Sequence, residues 1–279
     1  MSGERAFWIA CRDDAMAAIL HAGAAGAVLG VVIVVGGPQY RVGSHRQFLL
    51  LARRLAAAGY PVLRFDYRGM GDSSGASRDF EHVDEDIRAA VDALVAASGV
   101  ARVALWGLCD GASAALMYAA TDPRVAGVIG LNPWVHSAQG EAQARIRGYY
   151  LERLANREFW GKVLRFEFDW RASLRSLFGY ARAAAGRRDE SGGTQSFLAR
   201  MEQGLARFGG RFHVALSGND FTADEFRLLL KSSSAWSGLA ARKITLAELP
   251  GANHTFASRE WRGWVEERTL DWLQEIAAG

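Results

Sequence analysis

Two short apolar runs, 6–11 and 16–21, are split by Arg12-Asp13-Asp14, a spacing that predicts an antiparallel hairpin. From 28 to 35 the chain is apolar and rich in β-branched residues without alternation, the pattern of a strand buried on both faces. Gly36-Gly37-Pro38-Gln39 breaks it. Ser44 is then placed to cap a helix running to about Ala58, with Phe48, Leu51 and Leu55 at helical spacing and Gly59 as its stop. A strand over 61–65 leads into the glycine-rich stretch Asp66 to Gly75, and a helix over 80–97 opens on acids, which suit the positive end of the helix dipole. A strand over 102–106, a helix over 110–120 and a strand over 126–131 follow.

This strand–helix rhythm stops at Asn132-Pro133-Trp134 and resumes near Phe212. From there it predicts a strand over 212–216, a helix over 222–231, a strand over 244–249 and a closing helix over 259–277. Alternation of this kind implies a mostly parallel sheet of about eight strands with helices on both faces. The interval 135–210 carries aromatics at helical spacing and no convincing strand. It is expected to be a helical cap inserted into a core made of 1–134 and 211–279.

Composition narrows the picture. At 279 residues, half of them hydrophobic and 23% charged, the chain has ample material for one large core. A net charge of +3 is too small to argue for nucleic acid, and 135–210 carries a cationic excess larger than that whole net charge. Two cysteines, Cys11 and Cys109, make no disulfide framework; Cys11 is expected in a strand facing the core. Neither a secretory leader nor an apolar run long enough for a membrane span is legible, so a cytoplasmic location is expected. The histidines show no metal-ligand spacing and no phosphate-cradling loop is present, so neither metal nor cofactor is expected.

Candidate chemistry centres on Gly107-Leu108-Cys109-Asp110-Gly111, between an apolar strand and a helix of small residues. Gly-x-Cys-x-Gly alone is a weak pattern, and a lone cysteine is more often a small hydrophobe. In this setting it has the form of a nucleophile elbow with cysteine at the centre, its thiol at a helix N-terminus. A base and an orienting acid are then required. Asp220 follows 111 residues after Cys109 and His254 a further 34, each at the carboxyl end of a predicted strand, where open α/β sheets place their sites. Asp224 is a rival acid. The backbone N–H of Asp110 is one expected oxyanion donor; Pro38 has none, so Gly37 or Gln39 supplies the second, Gln39 being favoured. His45 and Trp134 are candidate pocket residues. The Asp110 carboxylate opposes a neighbouring thiolate unless it points into Arg64, Arg68 or another cation.

Together these residues resemble the α/β-hydrolase superfamily across the whole chain. Gly36 to Arg46, Arg64 to Asp72 and Gly107 to Asp110 are similar to one subfamily, the hydrolase 1 associated with bacterial exosortase A systems. The cysteine elbow also resembles that of dienelactone hydrolases, whose elbow lacks the aspartate. The resemblance implies Cys-His-Asp hydrolysis or acyl transfer on a small-molecule ester or thioester, acyl-carrier- or glycan-linked substrates included, in the setting of exopolysaccharide and protein sorting. A non-catalytic binding or scaffold protein on the same fold is the alternative.

Overall fold

The computed structural model describes residues 3–37, 39–135 and 196–279. Strands β1 (Glu4–Cys11) and β2 (Asp14–His21) form the expected hairpin, closed by Arg12 in the left-handed region at φ 57°. Beyond it lie β3 (Leu29–Val34), β4 (Val62–Phe65), β5 (Arg102–Leu108), β6 (Val125–Leu131), β7 (Arg211–Ser217) and β8 (Ile244–Leu249). One eight-stranded sheet runs in the order β1-β2-β4-β3-β5-β6-β7-β8, antiparallel up to β4 and parallel from there. Every residue of β3 and β4 is buried, as a strand covered on both faces requires.

The described helices are α1 (Gln47–Ala57), α2 (Asp84–Ser98), α3 (Asp110–Ala119), α4 (Phe197–Arg207), α5 (Phe221–Ser232), α6 (Ser234–Lys243) and α7 (Arg259–Ala278). They cover both faces of the sheet. Trp106 on β5 sits under α1 and α7, its ring edge-on to Phe48 and its indole N–H donating to Thr269 Oγ1 at 3.2 Å. On β6, a Cβ at Gly127 would strike Ile276 of α7, whereas one at Gly130 would meet Ala112 of α3 on the other face. Small residues in the central strands thus let helices approach on both sides.

Three expectations change. Ser44 does not cap α1: it opens a short 3-10 turn (Ser44–Arg46) without a side-chain capping bond, and α1 begins at Gln47 after Arg46 at φ 60°. The Gln39 side chain, rather than a regular first turn, takes the Ser44 N–H. The helix expected over 80–97 is a 3-10 turn (Phe80–His82) followed by α2, because Val83 leaves helical geometry between them. Helix α6 was not anticipated; its first turn is fixed by Ser233, which accepts from Trp236 N–H at 3.4 Å. The expected cap falls, for residues 136–195, outside the described part. At its far end α4 packs on α3, with Met201 and Leu205 fully buried and Gly204 against the Leu116 carbonyl.

Two buried histidines make the fold acid-sensitive. Burial pushes both His21 and His213 down to about 4. His21 Nε2 accepts from Arg64 Nε at 3.0 Å, which only a neutral imidazole does. In the unfolded chain both titrate near 6.5, so between pH 6.5 and about 4 the unfolded state binds more protons and stability falls with falling pH. Each contributes roughly 2–3 kcal/mol to that fall. Denaturant unfolding at pH 7.0 and 4.5 should show it, with a shallower loss in His213→Phe; equal losses in the variant and the parent would exclude the His213 contribution.

Candidate active site

The turn between β5 and α3 puts Cys109 at φ 59° and ψ −126°, a conformation L-residues rarely hold. Its peptide is clamped on both sides. Cys109 N–H donates to Leu131 O at 2.9 Å, and the Cys109 carbonyl accepts from Ala112 at 3.0 Å and from Trp134 at 3.2 Å. Ser113 Oγ, donating to Trp134 O at 2.7 Å, ties that neighbouring chain to α3. The glycines are sterically required. A Cβ on Gly111 would stand 2.6 Å from Val34 O and 3.0 Å from Gly36 N; one on Gly107 would stand 2.5 Å from the Gly111 backbone. These are backbone atoms that cannot swing aside, so Gly111→Ala should cost upward of ~3 kcal/mol. Thermal unfolding checks this; a variant as stable as the parent would mean that the turn is looser than drawn.

Asp220 and His254 come from the ends of β7 and β8. Their loops are stitched together by Gly218 N–H to Leu249 O at 3.0 Å and Asn219 N–H to Ala252 O at 2.9 Å. Asp220 is also the N-cap of α5, accepting from Ala223 N–H at 3.1 Å. With the same Oδ2 it meets His254 Nδ1 at 3.0 Å. The imidazole in turn lies beside Cys109, near enough for that side chain to act on its titration. Asp220 first, and Cys109 second, push His254 up to about 10 against the opposing pull of burial. Of the two candidate acids, Asp224 lies exposed and pairs with Arg227 at 2.7 Å, away from the histidine.

Among the described residues Asp110 meets neither Arg64 nor Arg68. Arg64 donates to His21 and to the Arg41 carbonyl, and Arg68 is held by Asp86 and Glu85. The Asp110 carboxyl instead turns under the Gly36–Gly37 bend, near the N–H groups of Gly37, Gly111 and Asp110 itself, with its Oδ1 buried and without a hydrogen-bond partner among the described residues. Burial raises its pKa, and those N–H groups oppose the rise. Both the Gly37 N–H and the Gln39 N–H are left out of the backbone hydrogen bonds among the described residues. His45 is exposed on the 3-10 turn, and Trp134 is half-buried beside Cys109. Among the described residues no group of three or more His, Cys, Asp and Glu could hold a metal ion.

Two supports were missed in the sequence. Asn132, fully buried at φ 43°, donates through Nδ2 to Ser217 Oγ and to His254 O, both at 2.9 Å, and accepts from Ser217 N–H at 2.9 Å. It joins the end of β6 to the loops that carry Asp220 and His254. Its only sequence signal is an amide at a strand end before proline. Asp66, the second, accepts from Arg41 N–H at 2.6 Å and pairs with the Arg41 guanidinium, which also reaches Asp72 at 2.5 Å. Arg64 adds a donor to the Arg41 carbonyl at 2.6 Å. This network pins the chain after Gln39 to the glycine-rich loop after β4, across 25 residues of sequence.

Residues 31–208, more than half of the chain, match the alpha/beta hydrolase fold family. Among solved structures, Est1E from Butyrivibrio proteoclasticus with ferulic acid bound superposes with a TM-score of 0.64, at 17% identity over 98% of this chain and 100% of that one. The Pyrococcus furiosus esterase PF2001 gives 0.63, at 16% identity over 97% and 91%. DcsB in complex with its substrate analogue gives 0.65, at 15% identity over 99% and 100%. Human protein ABHD12B is 38% identical over 77 residues, 28% of this chain; the chain spans about a fifth (20%) of that relative's length. The clamped elbow, the parallel sheet behind it and the family match agree: the chain belongs to the alpha/beta hydrolase fold family.

Proposed function

We propose that the protein cleaves esters or thioesters through Cys109 as nucleophile, His254 as base and Asp220 as the carboxylate that orients His254. The observation that carries this reading is the hydrogen bond from Asp220 Oδ2 to His254, with His254 beside a Cys109 held in the strained turn. His254 takes the thiol proton and the thiolate adds to the carbonyl carbon. The tetrahedral intermediate collapses to an acyl-cysteine as the leaving alcohol or thiol takes the proton from His254. Water, or an acceptor alcohol in a transfer reaction, then gives its proton to His254 and attacks the acyl group; the acid or new ester leaves and Cys109 regains its proton.

The Asp110 N–H and a second donor from the turn after β3, Gln39 N–H in preference to Gly37 N–H, hold the oxyanion. Thiolate attack on a thioester exchanges like for like and is nearly thermoneutral, so thioesters and activated esters suit Cys109 better than amides. The bound ferulic acid of Est1E and the esterase designation of the Pyrococcus protein support ester chemistry on this fold.

The motif stretches 36–46, 64–72 and 107–110 support an accessory role in a bacterial exopolysaccharide or exosortase system, in the cytoplasm, on an acyl-carrier- or glycan-linked substrate. The reading of 135–210 as a helical cap, with Trp134 and His45 lining the pocket, belongs to the same proposal and rests on its aromatic, cationic sequence. No helix among the described residues is long and apolar enough to cross a membrane.

Intact mass after brief incubation with a panel of acyl thioesters and activated esters tests the chemistry. The expected result is an added acyl mass that then decays as water or an acceptor releases it. No adduct and no turnover across the panel, with Cys109 slow to alkylate at neutral pH, would overturn the reading in favour of a binding scaffold.

A further inference from the structure

At the edge of the sheet opposite Cys109, where β5, β6 and β7 begin and α7 ends, lies a cavity of about 570 Å³. Seven-residue strands place it some 20 Å from the elbow. Arg102, Arg207 and Arg211 line it. Arg102 spends its donors on the last carbonyls of α7, Ile276 O at 2.8 Å and Ala277 O at 3.4 Å, and has no ion pair among the described residues. Arg207 and Arg211 are exposed and have no ion pair among the described residues.

Two acidic side chains and Gly279 also line the cavity, and one of those side chains is already committed. Asp122 is gripped by Arg124 at 2.7 Å and 2.9 Å and accepts from Tyr118 at 2.7 Å. Glu275 stands mostly in solvent, 3.9 Å from His213 Nδ1. His213 lies beneath, 1% exposed, packed on the Trp272 ring, and its Nδ1 has no hydrogen-bond partner among the described residues. Buried polar atoms are seldom left so, because the lost hydration is not returned. Phe208 and Ile276 supply apolar wall. The mouth is therefore cationic, the wall apolar, and the floor carries one unmet polar atom under a mobile-length side chain.

We propose that this cavity is a second, non-catalytic binding site for a small organic anion with a short apolar body. The anionic head is taken by Arg207 and Arg211, the body lies along Phe208 and Ile276, and an acceptor oxygen meets His213 Nδ1–H when Glu275 turns out. Guanidinium pairs match both phosphate and carboxylate heads, which is the shared chemistry here.

Titration of the full chain with hexyl phosphate, followed by NMR of its isotope-labelled histidines, tests the proposal. Hexanoate, inorganic phosphate and hexanol serve as separate arms. The expected result is saturable movement of the His213 resonances with the His254 resonances unmoved over the same range. Affinity should fall at least tenfold for inorganic phosphate, for hexanol and in the Arg207→Ala/Arg211→Ala double variant, whose exposed positions leave the core intact. It should also weaken with added salt. Hexanoate binding as tightly as hexyl phosphate would place the recognition in any anionic head; hexyl phosphate alone would place it in phosphate. A silent His213 at millimolar ligand, or a double variant that binds like the parent, would overturn the proposal. Neither result bears on Cys109, whose acylation is read separately.

Discussion

Cys109→Ala should lower kcat/KM on an ester or thioester by roughly 10⁴-fold or more, because alanine cannot form the covalent intermediate. Stability should barely move. Cys109 is only half-buried, its peptide rather than its thiol carries the clamping bonds, and alanine meets the same strain at φ 59° as cysteine does. Ligand binding should therefore survive while turnover and the acyl adduct vanish. Steady-state rates beside a binding measurement separate the two effects. A variant that keeps more than a tenth of the activity would remove Cys109 from the nucleophile's role.

Asp220→Asn is expected to have the next largest effect, about 10²–10⁴-fold on kcat. Asparagine can still accept from Ala223 N–H and so keeps the cap of α5, which alanine would lose at a cost of ~1 kcal/mol. What it removes is the charge beside Nδ1, the largest contribution that pushes His254 up to about 10. The His254 titration, read by NMR, should move down toward the ordinary 6.5. A stability signature follows. A histidine whose folded pKa lies above its unfolded one stabilises fully below about pH 6.5, and this contribution is lost as pH rises through about 10. The stability gap between parent and Asp220→Asn should accordingly narrow between pH 6.5 and 10. A His254 titration left unchanged by the substitution would show that Asp220 does not orient it.

The order of elements was legible because burial on both faces leaves a plain mark. Val31 to Val34 and Val62 to Phe65 are apolar without alternation, apart from Arg64, and the structure buries every one of them. The glycines around Cys109 were legible for a related reason: a turn that brings β3, β5 and α3 backbones within van der Waals contact excludes every Cβ. Helix starts were less so. Ser44 looked like a cap, yet the chain there serves the Arg41–Asp66–Asp72 network, and the helix waits until Gln47.

By itself the sequence determined the strand–helix alternation, the hairpin at the sheet edge and the residue types available at strand ends, because these follow from local periodicity and from which residues tolerate a sharp turn. Only the tertiary structure decided which of those polar residues meet. Asp220 faces His254 while Asp224 turns to Arg227, although four residues separate them. Asp110 turns under the Gly36–Gly37 bend and not toward Arg64 or Arg68, because both arginines are already held by His21, Asp86 and Glu85. Asn132 reaches His254 across 122 residues of sequence. Such choices depend on which donors remain unspent once strands distant in sequence, such as β3 and β5 or β6 and β7, are side by side, and no local pattern carries that information.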